Sequence, residues 1–339
     1  MIKNWKKSLI PESSSLSMAI KAISSNQSKV AVIINRNKNV LGLLTDGDIR
    51  RAILNEKNLK TKALSVATKN PLVIPNKINL EKIKQILDTN DLFQLPVVDE
   101  KNRIVNIVTS TTLSLKKKIN KSPFLIMCGG FGKRLLPLTK TLPKPLIKIG
   151  NERILDKILF NIKKYNFNQT YISVHYLSNK IIDYVKNGKK WNLKVSYINE
   201  KKPLGTAGCL YYLKDKIKLP LIITNGDIIT SLNFEEMLIA HNKNKSDITV
   251  ALQSYKINIP FAVVETEELL IKGIIEKPTM TKKINAGIYI INPKIINKLI
   301  KKPVYLDMPD LIKLAIKNKK KVTAFPIHED WEDIGSKKL

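Results

Sequence analysis

Residues 124–150 read FLIMCGGFGKRLLPLTKTLPKPLIKIG, an apolar run followed at once by glycines. The run FLIMC predicts a buried strand. Gly129 and Gly130 end this strand without side chains, so the backbone N–H groups there are open to a polyanion. Gly132 extends this freedom of the backbone. The stretch therefore predicts a phosphate-binding loop at the end of a strand.

Cations follow the glycines in the same stretch. Lys133 and Arg134 supply positive charge, and the arginine offers paired donors to phosphate oxygens. Pro143 and Pro145 flank Lys144, so they would hold this third cation on a stiff, extended segment. A glycine-rich loop taken alone is also typical of a flexible turn, and the rest of the chain has to decide between the two interpretations.

Downstream of this loop, strand-like and helix-like segments alternate. Strands are predicted at 170–175, 194–198, 220–224 and 247–251, and a helix at 178–186. Such alternation predicts a Rossmann-like α/β domain whose sheet is mixed, mainly parallel and covered by helices.

Upstream of the loop, one pattern of helix, two strands and helix occurs twice. The first copy is predicted at 17–24, 30–35, 40–44 and 48–54, and the second at 80–88, 93–98, 104–108 and 111–119. An internal repeat of this period predicts two units that bury their faces against each other. A polar, lysine-rich connection at 116–122 then precedes the strand of the loop. We therefore expect two domains, at 1–120 and 123–339.

The formal net charge of the 339-residue chain is +31, which raises the possibility of a nucleic-acid partner. The lysines are dispersed over nearly every predicted element rather than gathered in one stripe. We therefore expect no nucleic-acid partner, although a positive field would still attract small anionic substrates to a cleft.

The cysteines and the apolar runs of the sequence indicate the cellular compartment. Cys128 and Cys209 have neither metal-type spacing nor further cysteines to pair with. No apolar run approaches the length of a membrane span, and the amino-terminal MIKNWKKSLIPESSS lacks the apolar core of a secretion signal. We therefore expect reduced thiols, no membrane partner and a cytoplasmic location.

The first repeat contains VLGLLTDGDIRRAIL at 40–54, which resembles the signature of cystathionine β-synthase (CBS) domains, a family whose members come in pairs. In that family a Thr and an Asp, here Thr45 and Asp48, hold the ribose and phosphate of an adenine nucleotide. The second copy departs from this pattern, with Asn106 in place of the glycine and Thr112 in place of the acid. The resemblance implies a CBS pair that binds an adenine nucleotide at the first copy. The alternative is a pair that serves only dimerisation or packing.

The string GGFGKRLLPLTKTLPKPLIKIG closely resembles the signature of sugar-phosphate nucleotidyltransferases, although Lys133 stands where the usual form has Thr. The resemblance continues through most of 124–336. It implies that a sugar-1-phosphate oxygen attacks the α-phosphorus of a nucleoside triphosphate and that pyrophosphate leaves. Charge neutralisation and positioning are the main requirements of this chemistry. The predicted catalytic residues are Arg134, Lys144, Asp227 and Lys277.

The reaction calls for a divalent metal, for which we expect Mg²⁺ held by carboxylates. Asp227 in LIITNGDII follows an apolar run, so it should stand at the carboxyl edge of a central strand. The resemblance makes Asp227 and Asp333 of WEDIGS the metal ligands, with Glu332 as the competing candidate for the second. Because the sequence ends shortly after Asp333, we expect no appended acyltransferase domain of the kind that some related enzymes carry.

Two further motifs imply a sugar-phosphate site. In IIEKPTM, the resemblance assigns Glu276 to sugar hydroxyls and Lys277 to the sugar phosphate. In INAGIYIIN, Asn285 is a candidate sugar contact, and Gly287 lets the backbone approach the sugar. Gly226, next to the predicted metal ligand, belongs to the same predicted site. Without the resemblance, these would be an ordinary surface pair before a proline turn and a buried strand.

The segment PLGTAGC at 203–209 resembles the base-contacting loop of the family, in which Gly205 and Thr206 present backbone groups to the base. A carboxylate at Glu200 would accept from both the ring NH and the amino group of guanine, whereas uracil and thymine offer one such donor. This favours GTP over UTP and dTTP. The alternative is that Glu200 is a solvated loop residue.

A CBS pair in front of a short nucleotidyltransferase resembles the glucosamine-1-phosphate guanylyltransferases of bacterial legionaminic acid synthesis. We therefore expect GTP and glucosamine-1-phosphate as substrates, GDP-glucosamine as product, and a homo-oligomer. Within the class, the alternatives are mannose-1-phosphate guanylyltransferase and other nucleotidyl transfers to a sugar-1-phosphate. From another class, the alternative is a nucleotide-sensing regulatory protein with an inactive catalytic domain.

Overall fold

The computed structural model describes residues 4–25, 28–90, 92–110 and 120–335, apart from the side chains of Asp88 and Lys133. The chain divides into two compact units, Met1–Lys118 and Ile119–Leu339. Each unit has buried apolar clusters of its own.

The first unit contains the predicted repeat. Its first copy comprises β1 (Leu9–Pro11), α1 (Leu16–Ser24), β2 (Val30–Ile34), β3 (Val40–Thr45), α2 (Asp46–Leu54) and β4 (Thr68–Lys69). The sheet has the order β1-β2-β3-β4, in which β1 is parallel to β2 and the other neighbours are antiparallel. The predicted order of helix, strand, strand and helix is confirmed for this copy.

The second copy has the same plan. It comprises β5 (Ile74–Pro75), α3 (Leu80–Thr89), β6 (Gln94–Val98) and β7 (Ile104–Thr109). The sheet order is β5-β6-β7, with β5 parallel to β6, and the ladders of both copies have a register shift at the end of the middle strand. The final predicted helix at 111–119, which includes Thr112, lies outside the described residues. The short strands β1 and β5 were not predicted, because two or three residues are too few to show a period.

The two copies bury apolar faces against each other, as the repeat predicted. Val30 and Val32 of β2 form one buried cluster with Ile104 and Ile107 of β7. The backbone also connects the copies, because the N–H of Ile104 donates to the carbonyl of Lys38 at 3.0 Å. Burial of such β-branched faces is the main favourable contribution to the stability of a small unit.

The second unit is built on a seven-stranded sheet of order β12-β11-β8-β13-β18-β15-β19. The strands of the unit are β8 (Phe124–Cys128), β9 (Lys148–Ile149), β10 (Glu152–Arg153), β11 (Gln169–Val174), β12 (Lys194–Asn199), β13 (Leu221–Asn225), β14 (Ile228–Thr230), β15 (Ile248–Asn258), β16 (Val263–Glu267), β17 (Leu270–Ile275), β18 (Thr279–Ile291), β19 (Val322–Pro326) and β20 (Trp331–Asp333). The helices are α4 (Ile154–Lys164), α5 (Ser178–Val185), α6 (Phe234–Lys243), α7 (Pro293–Leu299) and α8 (Met308–Lys317).

The sheet is mixed and mainly parallel, which confirms the predicted fold class. Strands β12, β11, β8 and β13 run parallel, whereas β18 is antiparallel to both of its neighbours. Side chains alternate between two buried clusters: Phe124 and Ile126 of β8 belong to one cluster, and Leu125 belongs to the other. Both faces of the central strands are therefore covered, as a continuous apolar run such as FLIMC requires.

Two loops leave the sheet side by side at its carboxyl edge. Asn225, the last residue of β13, is in register with Met127 of β8. The N–H of Gly226 then donates to the carbonyl of Met127 at 2.9 Å. The glycine-rich loop after β8 and the turn after β13 consequently emerge next to each other, at the edge where open α/β sheets bind ligands.

A two-stranded arm, β16–β17, lies between β15 and β18 in the chain. It is rich in exposed apolar side chains, with Leu269 at 99% and Leu270 at 66% of their full exposure. Elsewhere, none of the helices in the described ranges combines the length and the apolarity that a membrane span requires.

Candidate active site

A cavity of about 490 Å³ lies at the carboxyl edge of the sheet in the second unit. Four stretches of chain and two single residues line it. They are the loop from Met127 to Gly132 with Arg134 and Leu135, then Lys144 and Pro145, then Glu200 with 203–206, then 225–227, and finally Tyr305 and Asp307. The cavity therefore gathers most of the predicted phosphate-binding, base-binding and metal-binding positions.

The glycines of the loop after β8 have different structural reasons to lack a side chain. A Cβ at Gly132 would lie 2.8 Å from Thr139, and its φ of +65° is one that favours glycine. A Cβ at Gly129 would lie 3.1 Å from the Glu200 carboxylate. A Cβ at Gly130, by contrast, would meet nothing within 4 Å. The protein itself therefore does not require glycine at 130 for packing, and the open space belongs to the cavity.

The cations of the loop follow directly. Lys133–Leu135 is a single turn of 3-10 helix, and the side chain of Lys133 lies outside the described residues. Arg134 lines the cavity. A Cβ at Gly335 would lie 2.9 Å from Nη2 of Arg134 and in contact with Nζ of Lys144, so both cations converge on the turn after β20.

The predicted metal ligands lie at this same turn. Oδ2 of Asp227 forms an ion pair with Nζ of Lys144, and both side chains are mostly buried. Oδ1 of Asp333 accepts from the N–H of Gly335 at 2.7 Å. Strands β14 and β20 bring the two acids together, since Ile228 pairs with Asp333 and the N–H of Ile334 donates to the carbonyl of Asp227 at 3.1 Å.

The residues present fit a magnesium ion. Asp227 and Asp333 offer hard carboxylate oxygens, the ligand type that Mg²⁺ selects, and Mg²⁺ commonly takes only one or two protein carboxylates. In this structure the ammonium group of Lys144 is the positive charge beside Asp227. The competing candidate Glu332 pairs through its backbone with Ile229 in the β14–β20 ladder.

Glu200 follows β12 and is 8% exposed. Oε1 accepts from the hydroxyl of Ser173, and Oε2 accepts from the N–H of Leu204 at 3.0 Å. Each carboxylate oxygen can accept two hydrogen bonds, so one acceptor position remains on each. Glu200 is therefore a buried, anchored carboxylate of the cavity rather than a solvated loop residue.

The predicted base-contacting loop is held from two sides. Glu200 binds the N–H of Leu204, and Asp307 accepts from the N–H of Thr206 at 3.0 Å and from its hydroxyl at 3.1 Å. Gly205 lies between them with φ of +72°, and a Cβ there would lie 2.7 Å from the carbonyl oxygen of Leu306. Both donors of Thr206 are thus engaged within the protein, and its contact with a base stays a prediction.

The predicted sugar residues fall into two groups. Gly226 lines the cavity, and Gly287 lies against it, because a Cβ at Gly287 would lie 2.7 Å from Nδ2 of the cavity residue Asn225. Asn285 binds this turn, since its Oδ1 accepts from the N–H of Gly287 at 3.0 Å. Oδ1 of Asn225 is buried and accepts no hydrogen bond from the described part of the chain.

Glu276 and Lys277 form the second group and do not line the cavity. They follow β17 on the exposed arm, where both side chains are 69% exposed and their charged atoms lie 3.8 Å apart. Their assignment to the sugar and its phosphate stays a prediction.

The two cysteines are buried, and Cys128 is one of the residues that line the cavity. Burial, together with the charge of Asp227, raises the pKa of the Cys128 thiol. Burial and the charge of Glu200 raise the pKa of Cys209 to about 12. Both thiols are therefore neutral at physiological pH and are poor nucleophiles or metal ligands.

In the first unit, Thr45 and Asp48 form a capping box at the start of α2. The hydroxyl and the N–H of Thr45 both donate to Oδ2 of Asp48 at 2.8 Å, and Arg51 contacts Oδ1. The two residues predicted to hold an adenine nucleotide are thus brought together, but they are bound to each other. Their role in nucleotide binding stays a prediction.

Among the cavity residues that sequence reasoning missed are three with polar side chains: Asn225, Tyr305 and Asp307. Asn225 directly follows the strand predicted at 220–224, and a residue in that position at a ligand-binding edge was the available signal. Asp307 lies about a hundred residues beyond Thr206, which it contacts, and Tyr305 contacts Asp307; no local pattern marks either residue.

Comparison with known proteins identifies the family. Residues 124–338 match the family model described as Nucleotidyl transferase, and residues 8–55 and 63–115 match the model of the CBS domain. The chain therefore belongs to the nucleotidyl transferase family and carries a CBS pair in front of that domain. These two parts of the prediction are confirmed.

The similar proteins named in this family act on sugar phosphates. A mannose-1-phosphate guanyltransferase of Schizosaccharomyces pombe is 30% identical over 223 residues, which are 63% of this chain and 61% of that protein. A mannose-1-phosphate guanylyltransferase catalytic subunit beta of Xenopus tropicalis is 31% identical, again over 63% and 61%. The match thus spans about three fifths of the length of these relatives.

A solved structure shows the same fold. It is a Bacillus anthracis protein assigned as a glucose-1-phosphate thymidylyltransferase, in complex with sucrose, with a TM-score of 0.52 and 23% identity. The likeness covers 63% of this chain and 90% of that one. At this identity it supports the architecture of the second unit and no finer assignment.

Proposed function

We propose that the protein transfers a guanylyl group from GTP to a sugar-1-phosphate, with release of pyrophosphate. One observation carries this proposal: a single cavity joins an open glycine loop, the cations Arg134 and Lys144, and the carboxylate Asp227 beside them. Phosphoryl chemistry of this kind needs little besides charge neutralisation and positioning. The family to which the chain belongs supports the same reaction class.

The chain's own residues account for most of the chemistry. The backbone after β8 would bind the triphosphate, with the space at Gly130 available to its oxygens. Arg134 and Lys144 would stabilise the charge that develops on the leaving pyrophosphate. Asp227 and Asp333 would hold Mg²⁺, which supplies further positive charge to the phosphate oxygens when bound. The attacking phosphate oxygen is already negative, so no general base is required.

Glu200 supports guanine as the base. Its two carboxylate oxygens are fixed by Ser173 and Leu204, and each retains one acceptor position. Guanine offers two adjacent donors, the ring NH and the amino group, which match two adjacent acceptors.

We propose glucosamine-1-phosphate as the sugar substrate, GDP-glucosamine as the product and legionaminic acid synthesis as the pathway. The order of a CBS pair and a nucleotidyl transferase domain supports this choice. The names of the similar proteins favour a second candidate, mannose-1-phosphate. The proposal further includes a homo-oligomer in the cytosol and an adenine nucleotide at Thr45 and Asp48.

The test is pyrophosphate release with Mg²⁺, measured for four nucleoside triphosphates against the 1-phosphates of glucosamine, N-acetylglucosamine, mannose and glucose. Preference for GTP with glucosamine-1-phosphate supports the full proposal. Preference for GTP with mannose-1-phosphate keeps guanylyl transfer and discards the pathway. The absence of pyrophosphate release in every combination contradicts the catalytic proposal and favours a nucleotide-sensing protein with an inactive catalytic domain.

A further inference from the structure

The amino-terminal end of α8 is capped in an unusual way. Asp307 is its N-cap residue, yet its side chain accepts no hydrogen bond from α8. An N-cap aspartate ordinarily accepts from the second or third N–H of its own helix. Here Oδ1 of Asp307 instead accepts from the N–H and the hydroxyl of Thr206, at 3.0 and 3.1 Å.

Thr206 makes the reciprocal contact. Its hydroxyl accepts from the N–H of Met308, the first residue of α8, at 2.7 Å. The helix end therefore receives its cap from the loop, and the loop receives its anchor from the residue that begins the helix. Backbone contacts reinforce the pair, since the N–H of Leu306 donates to the carbonyl of Leu204 at 3.0 Å.

The other oxygen of Asp307 is used by a residue of the cavity wall. The hydroxyl of Tyr305 donates to Oδ2 at 2.8 Å. Tyr305 lines the cavity, and the residue is 65% exposed. Although burial opposes it, hydrogen bonding from Thr206 and Tyr305 lowers the pKa of Asp307, which keeps this carboxylate ionised as an acceptor.

An exposed tyrosine ring whose hydroxyl is held by a hydrogen bond is already ordered before a ligand binds to it. Fixing the hydroxyl restricts the two side-chain torsions, so little further ordering is needed when a flat ligand packs on the ring. Tyr305 lines the same cavity as Gly205 and Thr206, which belong to the loop that Glu200 holds from its other side. The only flat part of the proposed nucleotide substrate is its base.

We propose that Tyr305 is a base-contacting residue of the nucleotide site and that Asp307 is the positioning residue that holds both the ring and the 203–206 loop. This rests on the proposed function only in that a nucleoside triphosphate is the ligand. Aromatic stacking accepts any base. Tyr305 therefore contributes affinity for nucleotides in general, whereas Glu200 contributes the choice among them.

Two probes separate the base from the phosphates: GTP, and inorganic triphosphate, which has no base. Affinities for both are measured with Mg²⁺ on the full chain and on Tyr305→Ala, Tyr305→Phe and Asp307→Asn. Tyr305→Ala should lower the affinity for GTP on the order of tenfold, as expected for the loss of one stacking surface. The affinity for triphosphate should stay unchanged. Tyr305→Phe and Asp307→Asn keep the ring but weaken or remove the hydrogen bond that orients it. Each should therefore lower the affinity for GTP by a smaller factor.

Asp310→Ala is the matched control. Asp310 lies in the first turn of the same helix and forms an exposed ion pair with Lys313 at 3.2 Å, away from the cavity. Its replacement removes the same charge from the same helix end, and both affinities should stay at their wild-type values. Because Tyr305 is mostly exposed, Tyr305→Ala should fold even if an Asp307 variant does not.

The outcomes separate the two proposals. Unchanged GTP affinity in Tyr305→Ala, or equal weakening of GTP and triphosphate, overturns the base contact while leaving the catalytic proposal intact. A wild-type protein that binds GTP through Tyr305 but shows no turnover supports the base contact and contradicts the catalytic proposal. A wild-type protein that binds triphosphate no more weakly than GTP overturns the base contact directly.

Discussion

The cavity has two sets of charged side chains with opposite signs. Arg134 and Lys144 form a cationic set near the turn after β20, and Glu200 and Asp307 form an acidic set that holds the 203–206 loop. In a chain with a formal net charge of +31, the acidic set is the exceptional one. The difference indicates that the cavity is suited to a ligand with an anionic part and a part that donates hydrogen bonds.

The two sets also differ in how they are held. Lys144 is paired with a carboxylate, Asp227, which the proposed metal would share. Glu200 and Asp307 accept from neutral donors, the N–H groups and hydroxyls of Ser173, Leu204, Thr206 and Tyr305. Neutral donors hold the two side chains in place without adding cations that would bind phosphate at the wrong place. Each set can therefore be altered without direct loss of the other.

The largest effect is expected from replacing Asp227, the carboxylate that is paired with Lys144 of the cationic set. Asp227→Asn removes the ion pair with Lys144 and one proposed metal ligand. Turnover should fall on the order of a hundredfold or more, because loss of a proposed metal ligand would remove positive charge that stabilises the transition state. The measurement is kcat for pyrophosphate release, with Lys140→Ala as the control, because Lys140 is an exposed cation of the same segment that does not line the cavity. Unchanged turnover in Asp227→Asn would refute the metal assignment.

The next effect concerns the acidic set. Glu200→Gln can still bind Ser173 and Leu204, but it no longer offers two acceptors to a base. The value of kcat/KM for GTP should fall about ten- to a hundredfold, the usual worth of hydrogen bonds to a charged group, with little change for UTP. Lys201→Gln, at the exposed neighbouring position, is the control. Equal losses for GTP and UTP would mean that Glu200 only supports the loop.

The glycines permit a sharper separation of fold from function. Gly130→Ala places a Cβ in open space, so the free energy of unfolding should change by less than about 0.5 kcal/mol. The same Cβ enters the proposed phosphate site, and KM for GTP should rise about fivefold or more. Gly205→Ala should instead destabilise the fold by about 1–3 kcal/mol, since the backbone has φ of +72° and lies against Leu306. Thermal unfolding and initial rates are measured on both variants. A destabilised Gly130→Ala would contradict the claim that Gly130 serves the phosphate site rather than the fold.

The sequence predicted what depends on local pattern. The run FLIMC and the glycines after it were enough to place a loop at the edge of a sheet, because apolar periodicity and missing side chains act locally. The repeat in the first unit was visible for the same reason. The cationic set was predicted in full, since Arg134 and Lys144 lie within one continuous motif.

Of the two residues of the acidic set, the sequence predicted Glu200 and missed Asp307. Glu200 lies next to its loop in the chain, whereas Asp307 reaches Thr206 across about a hundred residues through the packing of α8. Asp307 is the N-cap residue of α8, and its tertiary contact with Thr206 takes the side chain away from its own helix. The arm carrying Glu276 and Lys277 is the opposite case, because the motif predicts a sugar site and the structure places both side chains outside the cavity.

The smallest effect is a pH dependence confined to the acidic set. The pKa of Asp307 is lowered in the folded protein from its ordinary value of 3.8, so its ionised form contributes stability above that value. This contribution is lost as the pH falls through the lowered pKa. Asp307→Asn should therefore be less stable than the wild type by about 1 kcal/mol or less at pH 6, because the carboxylate is partly exposed to solvent.

The stability difference should close as the pH falls below 3.8, since a protonated Asp307 is as neutral as asparagine. Thermal unfolding of the two proteins from pH 6 to pH 3 measures the difference, with Asp310→Asn as the control on the same helix. A gap that stays constant down to pH 3 would show that the charge of Asp307 is irrelevant to the contact. The contact of Asp307 with the 203–206 loop would then depend on the shape of the side chain alone.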